Sequence, residues 1–149
     1  MERAQCLSRL QKLCSKAEYC SADLYRKALK DLEGDAEAAA QVLSSLKADR
    51  YVDDLRYASA FAREKASLQG WGPAKIRFQL RGKGISDADV TEALAQIDAG
   101  KAREKLTKLL ETKAHSLQGD PQIKLKLIKF ALTRGYEYGD VSAAVEEIL

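Results

Sequence analysis

The stretch YVDDLRYASAFAREKASLQGWGPAKIRFQLRGKGISDADVTEAL, Tyr51 to Leu94, decides how this chain folds. Asp53 or Asp54 opens it with a carboxylate able to accept hydrogen bonds from the first free amides of a helix. Leu55, Ala58, Ala62 and Ala66 then recur at helical spacing, with Phe61 beside them. Gly70 and Gly72 end that helix, and Pro73 starts the next one where no amide hydrogen is needed. Ile76 and Leu80 form its inner row. Gly82 and Gly84 permit the left-handed geometry of a helix stop. Ser86 with Asp89 makes a capping box with Asp where Glu is usual. Val90, Leu94 and Ile97 line a third helix. The stretch predicts three short helices joined by tight turns.

The same layout recurs on both sides. At an offset of 51 residues, Ile76, Leu80, Gly84, Val90 and Leu94 fall on Leu127, Ala131, Gly135, Val141 and Val145. Toward the N-terminus, Tyr25 and Leu29 fall on Ile76 and Leu80. In the C-terminal copy Ala102, Leu106, Leu109 and Leu110 mark the first helix. Asp120-Pro121 starts the second, with Leu127, Ile128, Ala131 and Leu132 inside, and Val141, Val145 and Ile148 line the last. Repeats of this period indicate stacked supersecondary modules. The expected organisation is all-α: three tandem three-helix repeats over residues 1–49, 50–99 and 100–149. Each is too small to hold much core alone, so neighbours should pack together.

Composition agrees. Aromatic residues make up only 7% of the chain against 46% hydrophobic residues overall, and Ala, Leu, Lys, Glu and Arg dominate. That favours helix over strand. No apolar run reaches the ~20 residues that span a bilayer, and the N-terminus lacks an apolar signal-peptide core, so a cytoplasmic protein without membrane contact is expected. Cys6, Cys14 and Cys20 match no common zinc spacing and are read as free thiols. His115 has no partner carboxylate or Cys in a recognisable motif. Phosphate-loop, nucleophile-elbow and paired-carboxylate patterns are absent, so no catalytic residue, metal or cofactor is expected.

Charge is segregated. Residues 55–83 carry seven bases and one acid, Glu64, and residues 84–100 carry four acids. Residues 101–134 carry nine bases against three acids, and residues 135–149 four acids and no base. Such separation builds a one-sided field that an anionic partner could feel. Arg56 and Arg63 lie two turns apart opposite the Leu55–Ala62 stripe. Arg77 and Arg81 form an i, i+4 row flanked by Lys75 and Lys83. Lys105 and Lys108, with Lys101, share one face of a later helix, and Lys126 and Lys129 extend it. Arrays of this kind suit phosphates or carboxylates. Phe78 points nearly opposite Leu80 on an ideal helix. Burial against a neighbouring repeat is its expected fate, with an exposed interface anchor as the alternative. Trp71, at the turn before Pro73, is expected to pack rather than to stack on a base.

Tyr51-Val52-Asp53-Asp54, Arg56-Tyr57-Ala58 with Phe61, Trp71-Gly72 with Lys75-Ile76, Leu80-Arg81, and Lys83-Gly84-Ile85 together resemble the signature of the RecX family of recombination regulators. The resemblance is strong over residues 49–98 and weaker along the rest. It implies an elongated, curved helical protein. It also implies binding in the groove of the RecA–DNA filament, with inhibition of recombinase and ATPase activities. The family has no catalytic residues, and its motif positions are mostly structural. The assignment of the interface to Arg56, Arg63, Lys75, Arg77, Phe78, Arg81, Lys83, Lys105 and Lys108 therefore comes from charge and exposure, not from the resemblance. The expected partner is the RecA filament, with single- or double-stranded DNA as a further contact, and the expected state is a monomer. A DNA-binding protein working without RecA and a helical-repeat adaptor are the alternatives. The third repeat departs from the pattern at Glu137, where Ser commonly caps, and Tyr138-Gly139-Asp140 follows it.

Overall fold

A computed structural model describes residues 1–149. The chain is all-α, as expected, with nine helices and no strand: α1 (Arg3–Lys16), α2 (Ser21–Asp31), α3 (Ala36–Ala48), α4 (Asp54–Ser67), α5 (Pro73–Gly82), α6 (Asp87–Ala95), α7 (Ala99–Ser116), α8 (Ile123–Thr133) and α9 (Tyr138–Ile148). No helix is long and apolar enough to cross a membrane.

Short carboxylate and hydroxyl side chains start several of these helices by accepting from amides that have no partner within the first turn. Asp35 accepts from Ala38 N–H at 3.0 Å, Asp53 from Arg56 N–H at 3.0 Å, and Asp98 from Lys101 N–H at 2.9 Å. Ser86 Oγ accepts from Asp89 N–H at 3.2 Å. Glu137 precedes α9 in extended conformation without a side-chain cap, so α9 starts at Tyr138.

The helices form two compact units: Met1–Ala58 with Leu80–Val90, and Ser59–Gln79 with Thr91–Leu149. The first unit buries Cys6 and Leu10 of α1, Leu24 and Ala28 of α2, and Ala39, Val42 and Leu46 of α3, together with Leu32 and Val52. The second buries Leu106 and Leu110 of α7, Leu127 and Ala131 of α8, and Val141, Ala144 and Val145 of α9, with Tyr136. Burying a Leu or Val side chain contributes roughly 1.5–3 kcal/mol, so these rows dominate the stability of each unit.

Three sequence expectations need correction. The inner row of α2 is Leu24 and Ala28, while Tyr25 and Leu29 sit half-buried beside it. The reason is register: α2 begins at Ser21 and α5 at Pro73, so the first repeat is displaced by one residue from the assumed alignment. Leu132 is not inside but 42% exposed. Leu127 and Ala131 already occupy the inward stripe of α8, and Leu132 lies about 100° round the helix from Ala131. Phe78 is not buried but 74% exposed, because Ile76 and Leu80 take the inward side of α5.

In the second unit the start of α5 and the end of α8 meet backbone to backbone. Gly72 N–H donates to the Arg134 carbonyl at 2.8 Å, and Ala74 N–H to the Gly135 carbonyl at 2.9 Å. Pro73, between them, has no N–H to leave stranded. The positive end of one helix is thus satisfied by carbonyls at the negative end of another. Only glycine fits. A Cβ on Gly72 would stand 2.4 Å from the Gly135 carbonyl carbon, and one on Gly135 2.4 Å from Lys75 Cβ. Gly135 also has φ +94°.

The first unit has a related junction at the start of α2. The Cys20 thiol points at the Lys83 carbonyl, 3.7 Å away, and a Cβ on Gly84 would lie 3.2 Å from Ala22 Cβ. Here the free amides are met by a side chain. Asp54, the first residue of α4, accepts from Ser21 N–H at 2.8 Å and Ser21 Oγ–H at 2.6 Å. Asp53 therefore caps its own helix and Asp54 caps α2.

Gly135→Ala should cost at least about 3 kcal/mol, from the clash and the left-handed backbone together. Gly34→Ala, at φ +84° in open space, should cost only about 1 kcal/mol. Urea unfolding of both variants measures the difference, and equal costs would remove the close approach as a determinant of stability. A second prediction concerns pH. Burial, then the hydrogen bond and charge of Asp31, push the Cys6 thiol up to about 11 from its ordinary 9.0. The unfolded chain releases this proton first, so the contribution of Cys6 is full below pH 9 and falls from there to pH 11. Relative to Cys6→Ala, the wild type should lose up to about 1.4 kcal/mol per pH unit in that window.

Candidate functional site

Trp71 is gripped by its own hairpin. Phe61 of α4 meets it edge-on, with centroids 6.1 Å apart and planes at 66°. Lys65 Nζ lies 5.0 Å from the Trp71 ring and 5.5 Å from the Phe61 ring, and Lys75 Nζ lies 4.5 Å from Trp71. Trp71 N–H closes the turn on the Lys65 carbonyl at 2.9 Å. The ring is half-buried between two cations and packs, as its place before Pro73 suggests.

The nine basic and aromatic candidates divide between the two units. In the first, Arg56 is a structural tie. Its Nε sits 2.9 Å from Glu18 Oε1, and its terminal nitrogens donate to the carbonyls of Arg50 and Tyr51 at 3.3–3.4 Å. These bonds hold the turn before α4, where Arg50 has φ +59°. Arg81 pairs with Asp87 at the start of α6 at 2.9 Å, and Lys83 Nζ lies 6.0 Å from the Tyr57 ring. In the second unit Arg63 and Lys108 are exposed, and Lys75, Arg77 and Lys105 are half-buried. Phe78 is open to solvent.

The second unit also holds two concavities. An apolar cleft of about 420 Å³ is lined by Trp71, Pro73, Ile76, Leu94, Leu106 and Tyr136 among others, with Arg103, Asp140 and Glu147 as its charged members. Burial pushes the Tyr136 hydroxyl up from its ordinary value. A broader basin of about 550 Å³ is lined by Lys75, Lys113, Leu117, Lys126, Lys129, Phe130, Thr133 and Arg134. Five of these eight side chains are cationic and none is acidic. Of the nine candidates only Lys75 reaches the basin. Lys113, Phe130 and Arg134 were not singled out from sequence. The available signal was the excess of nine bases over three acids in residues 101–134, together with Arg134 standing before Gly135 as Lys83 stands before Gly84.

No three His, Cys, Asp or Glu side chains gather where they could hold a metal ion. Cys6, Cys14 and Cys20 are free thiols, the first and last buried, and burial raises all three above the usual thiol range.

A family model described as RecX, second three-helix domain, matches residues 53–94. Among curated proteins, Regulatory protein RecX of Bacillus mycoides (strain KBAB4) is 33% identical over 110 residues, covering 72% of this chain and 41% of that protein. Regulatory protein RecX of Oceanobacillus iheyensis is 29% identical over 126 residues, covering 80% of this chain and 45% of that protein. The chain thus spans less than half the length of these two relatives. Among solved structures, RecX from Lactobacillus salivarius superposes with a TM-score of 0.88 at 21% identity, covering 98% of this chain and 96% of that one. A second, titled regulatory protein RecX, superposes at 0.84 and 26% identity, covering 98% and 70%.

Arg56→Ala should destabilise the chain by about 1 kcal/mol, because it frees the Arg50–Tyr51 carbonyls and leaves Glu18 unpaired in a partly exposed site. Arg63→Ala should stay within ~0.5 kcal/mol of wild type. Thermal melts compare them, and equal effects would return Arg56 to the pool of surface charges.

Proposed function

We propose that this chain, which belongs to the RecX family of regulatory proteins, binds the RecA–DNA filament and restrains it without catalysing a reaction. It acts as a cytoplasmic monomer, and the processes it tempers are DNA repair and recombination. The observation that carries the reading is Phe78. It lies within the segment matched by the family model, faces away from the core row of α5, and is 74% exposed. Arg77 and Arg81 flank it in sequence. An aromatic ring among cations is the kind of anchor that carries most of an interface's energy. A filament presents the same surface many times, and a chain of repeated modules can engage several copies, so modest contacts add through effective concentration.

The test is inhibition of DNA-dependent ATP hydrolysis by the cognate RecA, with co-sedimentation on RecA–single-stranded DNA. Wild type should pellet with the filament and slow hydrolysis, and should hydrolyse no ATP itself. Phe78→Ala should raise the half-inhibitory concentration at least about tenfold with an unchanged melting temperature, since an interface anchor is worth more than ~1.4 kcal/mol. Charge reversal of Arg77 and Arg81 to Glu should abolish pelleting. The same change at Lys105 and Lys108 should weaken it less. Affinity for bare DNA equal to that for filament would favour a DNA-binding protein working alone. Affinity for neither would favour an adaptor role.

A further inference from the structure

We propose that the cation-rich basin formed by α7, α8 and the start of α5 is a binding site for the phosphodiester backbone of a nucleic-acid strand. This goes beyond contact with the recombinase, and its test needs no recombinase.

The basin concentrates five cations, Lys75, Lys113, Lys126, Lys129 and Arg134, with no carboxylate in its lining. Like charges held together repel one another, and a polyanion that enters relieves the repulsion and releases its own counterions. Two of the cations are held in place beforehand. Phe130 packs its ring against the core of the second unit. Lys113 Nζ stands 5.4 Å and the Arg134 guanidinium carbon 4.8 Å from its centroid. Arg134 also donates to the Gln69 carbonyl at 3.5 Å. Side chains restrained in this way give up less freedom when a ligand arrives.

Shape and chemistry select the ligand. Lys126, Lys129 and Thr133 follow one another along α8 over about 10 Å of helix axis. That length matches about three phosphates of a stacked strand, at roughly 3.4 Å of axial rise each. The basin is broad and open, whereas sites for small nucleotides enclose most of the ligand between apolar walls. Four of the five cations are lysines, point charges that accept phosphates in many registers. A fixed pattern of protein carboxylates would favour the planar fork of arginine.

The site carries its own competitor. Asp120, at the turn before α8, accepts from Lys126 Nζ at 2.5 Å and from Gln122 N–H at 2.8 Å. The Lys126 hydrogen bond, then the Gln122 amide, hold the Asp120 carboxyl below its usual range. An incoming phosphate has to draw Lys126 away from this carboxylate. Asp120→Asn keeps an acceptor for Gln122 N–H and removes the competing charge.

The experiment is fluorescence anisotropy of a labelled single-stranded oligodeoxythymidylate with the full chain, across a salt series. Wild type should bind it with salt-dependent affinity. Lys126→Gln with Lys129→Gln changes two exposed side chains of α8. It should weaken binding at least tenfold and flatten the log–log salt slope by about 1.4, at ~0.7 per lost phosphate contact on a single strand. Asp120→Asn should tighten binding, and Lys12→Gln, at an exposed position on α1, should leave it unchanged. The proposal is overturned if wild type does not bind the strand, if the double variant keeps the full slope, or if poly-glutamate competes as well as unlabelled DNA. A wild type that inhibits the filament but does not bind the strand would defeat this inference alone. Intact strand affinity without filament inhibition would defeat the regulatory reading alone.

Discussion

The second unit turns on a contact between two glycines. Gly72 and Gly135 bring the start of α5 and the end of α8 within hydrogen-bonding distance of each other's backbone. The price is the loss of both side chains. From that contact follow the positions of Trp71 on one side, Lys75 on the next turn, and Arg134 immediately before Gly135. Lys75 and Arg134 reach one basin because the two backbones touch. A methyl group at either glycine would push them apart before it disturbed any of the charged groups.

That contact was half legible. Gly84 and Gly135 declare themselves as helix stops in corresponding positions of two repeats, and Pro73 marks a helix start. That Gly72 had to be glycine for steric reasons was invisible, because its partner lies far along the chain. The caps show the same division. Asp53 follows the local rule for starting α4. Asp54 looks like a redundant second cap, yet its carboxylate serves α2. Local rules see amides within a few residues and miss those that the fold brings near. Leu132 and Phe78 failed for a related reason. Periodicity ranks the faces of a helix but does not say how wide the buried stripe is. Tyr25 and Leu29 failed through a one-residue slip in repeat register, which turns a helix by about 100°.

Charge along the chain and charge in the fold point to different places. Sequence pointed mainly to the middle helices, where bases outnumber acids seven to one. The structure assigns part of that charge to fixed duties: Arg56 to a turn, Arg81 to Asp87, Lys65 and Lys75 to Trp71. The broader concavity takes one base, Lys75, from α5 and the other four from α7, α8 and the turn after α8. A count of charge along the chain cannot separate a cation already engaged from one facing solvent.

Asp54 has a further consequence, in the order of events during synthesis. The start of α2 is completed by a carboxylate 33 positions after Ser21, and Cys20 meets the Lys83 carbonyl 63 positions later. The first unit itself takes in Leu80–Val90. A ribosome adding roughly 5–20 residues per second exposes α1, α2 and α3 seconds before their partners exist. The rows that α1, α2 and α3 bury against one another are complete by Val52, whereas the start of α2 gains its last partners only when Asp54 and Lys83 have been added.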